Sequence, residues 1–528
     1  MREPEERPRR RSGAARWLTA AAPVAGALPA LTFPAPALWW LAYAALVPWL
    51  LLLMSAATPR GAALRGWLGG AGFLLAVHHW LMPSLHVFIL LLTALLGLLW
   101  APWGWLVRRL LHGRPGGRSV AAALLLVPSG WLLAELVRSW EFLGGPWGLL
   151  GASHWQVPPA LRIASLGGVW LLGFLIVAVN TALAVLIAVR RARLAAVAGL
   201  AACAAVAVSG WALAPLPEPA GTVRVGVVQP GVIDGTGSVD RRFDREEALT
   251  RQLAGRDVDL VVWGESSVGR DLGDRPDLAE RLAALSREAG AGVLVNVDAR
   301  RSDRPGIFKS SVLVGPGGAT GERYDKMRLV PFGEYVPARS LLGWATSVGR
   351  AATEDRRRGT APVLMEPPGT HGLRIGPLVC FESAFPDMSR HLVREGAGLL
   401  VAQSATSTFQ DSWAPRQHAS LAALRAAETW RPMVHATLTG VSAVHGPRGE
   451  RIGRTLGTDT RAAEVYEVPL ARGTSPYVRF GDWPVHAAAA ALAVFLAREA
   501  LGVRRRRRAT PPTRPARTAH GSSARPGH

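Results

Sequence analysis

Apolar residues run in long blocks through the first two fifths of the chain and again near its end, with a more polar stretch between them. The blocks lie near Trp17–Leu31, Ala37–Ala57, Gly66–Leu81, Leu85–Val107, Val120–Val137, Ser165–Val189, Leu194–Ala214 and Pro484–Val503. Most approach the roughly 20 residues that a helix needs to cross about 30 Å of hydrocarbon. They predict eight membrane spans, seven before the polar stretch and one after it. Pro23 and Pro29 interrupt the first block, and Arg9–Arg11 before it resemble the basic end of a signal peptide. Because further spans follow, the block reads as an anchor, with cleavage as the alternative.

Between residues 215 and 483 the pattern changes to short β-branched runs, at Val223–Val228, Asp259–Trp263, Gly292–Val297, Ser311–Val314, Leu373–Val379 and Gly398–Val401. Helical stretches, notably Pro276–Ala289 and Arg416–Trp430, alternate with some of them. In the second, Leu421, Leu424 and Ala427 predict one buried face. Strands interleaved with helices predict a layered α/β domain. The Gly/Pro-rich Val314–Gly321 reads as a turn, and phosphate cradling is not expected because no P-loop lysine and helix follow it. The division is therefore a basic tail (1–16), a seven-helix region (17–214), an α/β domain (215–483), a last helix (484–503) and a second basic, disordered tail (504–528).

The chain has 528 residues, 49% of them hydrophobic, 20 Trp, and 60 Lys+Arg against 38 Asp+Glu, for a formal charge of +22. In a soluble protein such a charge would point to nucleic acid. Its distribution argues otherwise. Residues 2–16, 58–65, 108–118, 190–193 and 504–528 together carry 23 arginines, whereas the opposite loops, 32–36, 82–84 and 138–164, carry only Arg138 and Arg162. Arginines in short loops stay on the cytoplasmic side, so both termini are predicted inside and residues 215–483 outside. That domain holds 34 basic against 32 acidic residues, and no nucleic-acid partner is expected. Arg504–Arg508 beside the last span suit anionic lipid headgroups. Within the spans, His78, His79, His86 and Glu135 read either as hydrogen-bonded bundle residues or as a proton relay. The aromatic, Gly-rich loop after Arg138, including Gly145-Pro-Trp147, reads as an interfacial anchor or as the wall of a lipid-accessible site.

Two cysteines exclude a disulfide scaffold. Cys203 lies in the Ala-rich seventh span and reads as a packing residue. Cys380 ends an apolar run, Pro377-Leu-Val-Cys380, where polar residues follow; it is either a buried small side chain or a nucleophile, which needs access and a lowered pKa. Glu265 follows the run Leu260–Trp263 and is either an exposed turn residue or a general base whose pKa an apolar setting raises. Of the 60 basic residues only Lys309 and Lys326 are lysines. A compact ammonium kept in so arginine-rich a chain suggests a specific demand. Lys326 lies in the Pro- and Gly-punctuated segment Arg323–Pro337, which predicts a shaped loop. His418, His435 and His445 lack metal-ligand spacing, so neither metal nor cofactor is expected.

Glu265, Lys326 and Cys380, in this order and each near a strand end, resemble the Glu-Lys-Cys triad of the nitrilase (carbon-nitrogen hydrolase) superfamily. Tyr324-Asp-Lys326 followed by Leu329-Val-Pro-Phe-Gly-Glu-Tyr-Val-Pro337 resembles the signature of its membrane members, the apolipoprotein N-acyltransferases, as do the span pattern and the Gly145-Pro-Trp147 loop. The resemblance runs from about Trp17 to Val503. It implies a polytopic α-helical membrane bundle of about eight transmembrane helices joined to an extracytoplasmic α/β nitrilase-like αββα sandwich, in a bacterial inner membrane, acting as a monomer. It further implies Glu265 as general base, Lys326 facing the oxyanion and Cys380 as nucleophile, with Glu334, Glu382 and Phe381 at supporting positions, Phe381 standing where the family usually has Tyr. The implied reaction takes an acyl chain from a membrane phospholipid and delivers it, through a thioester, to the amino group of a diacylglyceryl-cysteine on an apolipoprotein. Where the family commonly reads Asn-Asp-Ala-Trp-Phe, this chain has Ser404-Ala-Thr-Ser-Thr-Phe409, with Trp413 as a substitute aromatic. Two other readings stand beside this one: a membrane-tethered amidase and a noncatalytic lipoprotein-binding protein.

Overall fold

The computed structural model describes residues 16–343 and 352–509; the tails at 1–15 and 510–528, with Arg9–Arg11, lie outside them. Five helices among the described residues are long and apolar enough to cross a membrane. They are α3 (Phe88–Leu111), α4 (Gly117–Arg138), α5 (Pro158–Ala188), α6 (Arg190–Leu213) and the last helix, Trp483–Gly502. The other three apolar blocks fold differently. Pro23 and Pro29 divide the first into a helical stretch over 16–20, a helix at Ala22–Ala27 and a 3-10 turn at Leu28–Thr32. The second is a 3-10 turn at Trp39–Tyr43 and a short helix, α1 (Val47–Met54). The third is the 20-residue helix α2 (Pro59–His78), less apolar because it carries Arg60 and Arg65. Its Gly66, Gly69, Gly70 and Gly72 bring it so close to neighbours that a Cβ would strike the backbone at Trp100, the Trp49 ring, the backbone at Gly97 and the backbone at Pro23. Van der Waals contact between close backbones is a main source of helix association in lipid. His78 and His79 bond to carbonyls of Leu74 and Ala76 in their own turns, and Glu135 accepts from the Leu150 amide at 2.8 Å.

Beyond the bundle, two sheets stack face to face. The first has the order β11-β1-β2-β3-β4-β5, with β1 (Glu218–Gln229), β2 (Leu260–Trp263), β3 (Gly292–Arg300), β4 (Ile307–Gly315), β5 (Gly318–Asp325) and β11 (Ala462–Arg472). The second runs β10-β9-β8-β7-β6, with β6 (Ile375–Val379), β7 (Leu399–Ser404), β8 (Met433–Thr437), β9 (Ser442–His445) and β10 (Arg451–Leu456). In each sheet three neighbouring strands are parallel, β1-β2-β3 and β6-β7-β8. Strand alternation sorts the side chains into layers. Val262, Leu294, Ile375, Leu399 and Val401 fill the space between the sheets, while Leu378, Leu400 and Ala402 face the opposite side. Phe243, Leu278 and Leu282 of two outer helices, Ser238–Arg251 and Pro276–Ala289, cover the far face of the first sheet.

The far face of the second sheet meets α9 (Pro386–Arg394) and α10 (Ala414–Thr429), and these in turn pack on the bundle. The periodicity of α10 predicts one buried face, yet all of its residues except Arg416 are buried. A helix held between a sheet and membrane helices has no solvent side. Its main membrane partner is α5 (Pro158–Ala188), which breaks at Gly167 and Gly168, the latter at φ 67°. The break frees the Val169 amide to donate to Glu428 of α10 at 2.7 Å.

Candidate active site

Parallel α/β sheets place sites at the carboxyl ends of their strands. Glu265 lies two residues past β2, Lys326 directly past β5, and Cys380 directly past β6. The Glu265 amide donates to the Ser404 carbonyl at the end of β7 at 3.1 Å, which joins the two sheets beside the carboxylate. Lys326 is fully buried, and its Nζ sits 2.7 Å from Glu334 Oε1 and 3.3 Å from Glu265 Oε1. Glu334 is held by its other oxygen, which accepts from the Val330 amide at 2.8 Å. This contact folds the Pro- and Gly-containing loop back so that Glu334 faces the lysine eight positions before it.

Cys380 opens a 3-10 turn, Cys380–Ala384, in the left-handed region at φ 51°. Such a conformation costs on the order of 1–3 kcal/mol and persists only where its surroundings enforce it. Here the Ser383 hydroxyl and the His418 Nε2–H both donate to the Cys380 carbonyl, at 2.9 and 3.0 Å. Glu382 secures the same turn from below. Its carboxylate accepts from the Val379 amide (2.7 Å), the Met327 amide (2.7 Å), the Arg328 amide (3.0 Å) and the Tyr324 hydroxyl (2.7 Å). One side chain thus ties the cysteine turn to the lysine loop. Phe381 is buried edge-to-face on Phe385, and both rings lie against Gly145 of the loop from the bundle, where φ is 68° and a Cβ would lie 2.5 Å from the Phe381 ring.

The electrostatics differ from expectation at two residues. An apolar setting predicts a raised pKa for Glu265. Burial does push its carboxyl up, but the ammonium groups of Lys309 and Lys326 outweigh it and hold the group at about 2. A nucleophilic role for Cys380 predicts a lowered pKa, yet burial and then the Glu265 charge push its thiol up to about 12, against the pull of Lys326 and Lys309. The resting pair is therefore thiol and carboxylate. Burial opposes the charge on Lys326 too, but Glu265 and Glu334 raise its pKa, so it remains an ammonium ion.

Lys309 is the residue whose place the sequence reading left unassigned. It projects from β4 with Nζ 2.8 Å from Glu265 Oε1 and 3.0 Å from Glu334 Oε1. Its rarity was the available signal, because it and Lys326 are the chain's only lysines.

Aromatic side chains from the bundle meet the start of α10, whose His418 bonds to the Cys380 carbonyl and lies 5.2 Å from the Trp147 ring. Gln417 Oε1 accepts from the indoles of Trp147 (2.8 Å) and Trp80 (3.1 Å). Phe409 meets Trp80 with ring centroids 4.9 Å apart, and Trp413 meets His79 at 4.5 Å, so the altered 404–409 segment still presents aromatic contacts to the membrane side. Glu141 of the same bundle loop pairs with Arg358 at 2.5 Å. The loop after Arg138 is thereby pinned beside the cysteine turn.

Residues 25–182 match the family described as apolipoprotein N-acyltransferase N-terminal domain, and residues 224–475 match carbon-nitrogen hydrolase. The apolipoprotein N-acyltransferase of Geobacter metallireducens is 33% identical over 89% of this chain and 93% of its own length. The chain belongs to the apolipoprotein N-acyltransferase family. The N-acyltransferase of Azotobacter vinelandii is likewise 33% identical, over 92% of this chain and 95% of its own. Among solved structures, an amidase from Nesterenkonia sp. aligns at 17% identity over 52% of this chain and 98% of its own with a TM-score of 0.34, so family membership rests on the sequence relatives. Family membership assigns the stacked sheets to a nitrilase-like, carbon-nitrogen hydrolase domain and the N-terminal helices to the apolipoprotein N-acyltransferase N-terminal domain.

Proposed function

We propose that this protein transfers a fatty acyl chain from a membrane phospholipid to the α-amino group of the N-terminal diacylglyceryl-cysteine of lipoproteins, with Cys380 as the acyl carrier. The observation that carries this reading is the meeting of Glu265, Lys326 and Cys380 at strand ends that abut the membrane bundle. A site so placed can receive two substrates that are both held by lipid tails.

In the first half-reaction the Cys380 sulfur attacks the ester carbonyl while its proton passes to Glu265. With burial and the Glu265 charge holding the thiol up and the two lysines holding the carboxyl down, a free thiolate is scarce at rest, and proton transfer accompanies attack. Lys326 faces the negative oxygen of the tetrahedral intermediate. Collapse expels the lysophospholipid alkoxide, which takes the proton from Glu265 and leaves a thioester. In the second half-reaction the lipoprotein amine attacks the thioester, Glu265 receives its proton, and the departing Cys380 sulfur recovers it. Glu334 holds Lys326, Glu382 ties the two loops, and Phe381 seats the bundle loop. Water kept away by the aromatic wall spares the thioester from hydrolysis.

The arginine distribution supports eight spans in a bacterial inner membrane, with both termini cytoplasmic and the catalytic domain outside. One chain supplies every group of the cluster, which supports a monomer as the acting unit. The test is expression in cells lacking lipoprotein N-acylation, followed by mass spectrometry of a lipoprotein's N-terminal peptide. Wild type is expected to add one acyl chain and Cys380→Ala none. An unmodified N-terminus beside well-expressed wild type would overturn the proposal.

A further inference from the structure

Lys309 and Lys326 stand on neighbouring positions of one hairpin: the Lys326 amide donates to the Lys309 carbonyl at 2.8 Å, next to the Ser310–Asp325 pair of β4 and β5. Both ammonium groups reach the same two carboxylates. Lys309 Nζ lies 2.8 Å from Glu265 Oε1 and 3.0 Å from Glu334 Oε1, and Lys326 Nζ lies 3.3 and 2.7 Å from the same atoms. The four groups form a closed ring of alternating sign, with no net charge when all are ionised. Lys326, Glu265 and Glu334 are buried and Lys309 is nearly so. Asp298 of β3 stands 3.8 Å from Lys309 Nζ and is itself within 3.4 Å of Arg356, while the Cys380 thiol faces the ring from the end of β6.

We propose that Lys309 is a positioning residue for acyl transfer: it neutralises the second carboxylate of the ring and so keeps Glu265 ionised and directed at Cys380. Charge balance within the ring requires such a group. Without Lys309, two buried carboxylates would share the single Lys326 ammonium. A buried site with an uncompensated negative charge takes up a proton, because like charges at contact distance cannot both remain ionised cheaply. A proton held by the pair blocks Glu265 from receiving the one released by Cys380. The role rests on the reading of Glu265 as proton acceptor. It also explains why an otherwise lysine-free chain has two lysines, since one ammonium serves each carboxylate.

The experiment is the pH dependence of kcat/KM for the full-length enzyme in detergent, with an acyl-labelled phospholipid and a synthetic diacylglyceryl-cysteine peptide. Lys309→Gln is expected to move the acidic limb to higher pH by about one to three units, and Lys309→Arg to leave it in place. The double variant Lys309→Gln/Glu334→Gln restores neutrality and is expected to bring the limb back toward wild type, a rescue that a merely structural role does not predict. A wild-type profile in Lys309→Gln, or a limb in the double variant no lower than in the single one, overturns the inference. If Lys309→Gln does not fold, a folded double variant supports charge balance, and loss of both proteins overturns it. Cys380→Ala separates the two levels. Activity in that variant would defeat the reading of the site, whereas an inactive Cys380→Ala beside an unshifted Lys309→Gln defeats only the role of Lys309.

Discussion

The Met327 amide donates to the Glu382 carboxylate at 2.7 Å, which fixes the residue after Lys326 to the residue two past Cys380. The same carboxylate binds the Arg328 and Val379 amides and the Tyr324 hydroxyl. Removing it would leave buried amides without acceptors and free the lysine loop from the cysteine turn. Glu382→Ala is expected to lower kcat/KM by about 100-fold, the scale associated with roughly 1 Å of misplacement, chiefly through kcat. Steady-state kinetics check this, and a normal kcat would show that the loops keep their register without Glu382.

Much of this arrangement was legible in the sequence because the strands that carry the site are apolar on both faces. Leu260–Trp263 and Ile375–Val379 are buried throughout, so each appears as a short hydrophobic run ending at Glu265 or Cys380. β5 escaped notice because Gly-Ala-Thr-Gly-Glu-Arg-Tyr-Asp has no such run; Val314–Gly321, read as a turn, holds the end of β4 and the start of β5 with only Pro316-Gly317 between them, and the place of β5 in the sheet comes from pairing with β4. β8 and β9 are short and contain His435 and His445, polar residues that only the surrounding layers bury. The low pKa of Glu265 was hidden for a related reason. An apolar flank predicts a raised value, and the two lysines that reverse it lie 44 and 61 residues away along the chain.

The junction between domain and bundle gives a second prediction. Glu428 Oε1 accepts from the Val169 amide at the break in α5 and from Arg425 at 2.8 Å, while Arg425 also donates to the Ala384 carbonyl at the end of the cysteine turn. Glu428→Ala leaves a buried guanidinium and a buried amide unpaired. Its cost is expected to be about 3–5 kcal/mol, read as a lowered unfolding temperature in detergent. Glu428→Gln, which retains an acceptor for the Val169 amide, is expected to lose less. Equal stability of wild type and Glu428→Ala would mean that α10 does not depend on this contact to dock on α5.

Stability should also fall on mild acidification. Burial holds His445 at about 4, against an ordinary value near 6.5, with its Nδ1 beside the Gly449 carbonyl. Between those two pH values the unfolded chain binds a proton that the folded one refuses. The stabilisation is complete above about pH 6.5 and is lost as pH falls toward 4. Glu265 has its own, lower window: its depressed pKa makes its contribution complete above about 4.5 and lost as pH falls toward 2. Unfolding temperature measured from pH 7 to 4 is expected to decline, and His445→Gln to flatten the decline. A slope unchanged by that substitution would assign the acid sensitivity elsewhere.

Gln417 joins the cysteine turn to the helical bundle. Its Oε1 accepts from Trp80 and Trp147, which come from two different segments of the bundle, and the next residue, His418, bonds to the Cys380 carbonyl. Gln417→Leu keeps the packing volume but removes the acceptor, so both indoles lose their common anchor. A lost hydrogen bond that leaves a buried donor unsatisfied costs about 1–3 kcal/mol, and about 1.4 kcal/mol corresponds to tenfold in rate. The variant is therefore expected to turn over lipid substrates at least about tenfold less efficiently. Alkylation of Cys380 by a small neutral reagent reports on the thiol alone and is expected to stay near wild type, because Gln417 is no part of the charged ring. Parallel losses in both assays would place Gln417 in the support of the cysteine turn, whereas a loss confined to lipid substrates identifies the two tryptophans as a wall that large substrates need and small reagents do not.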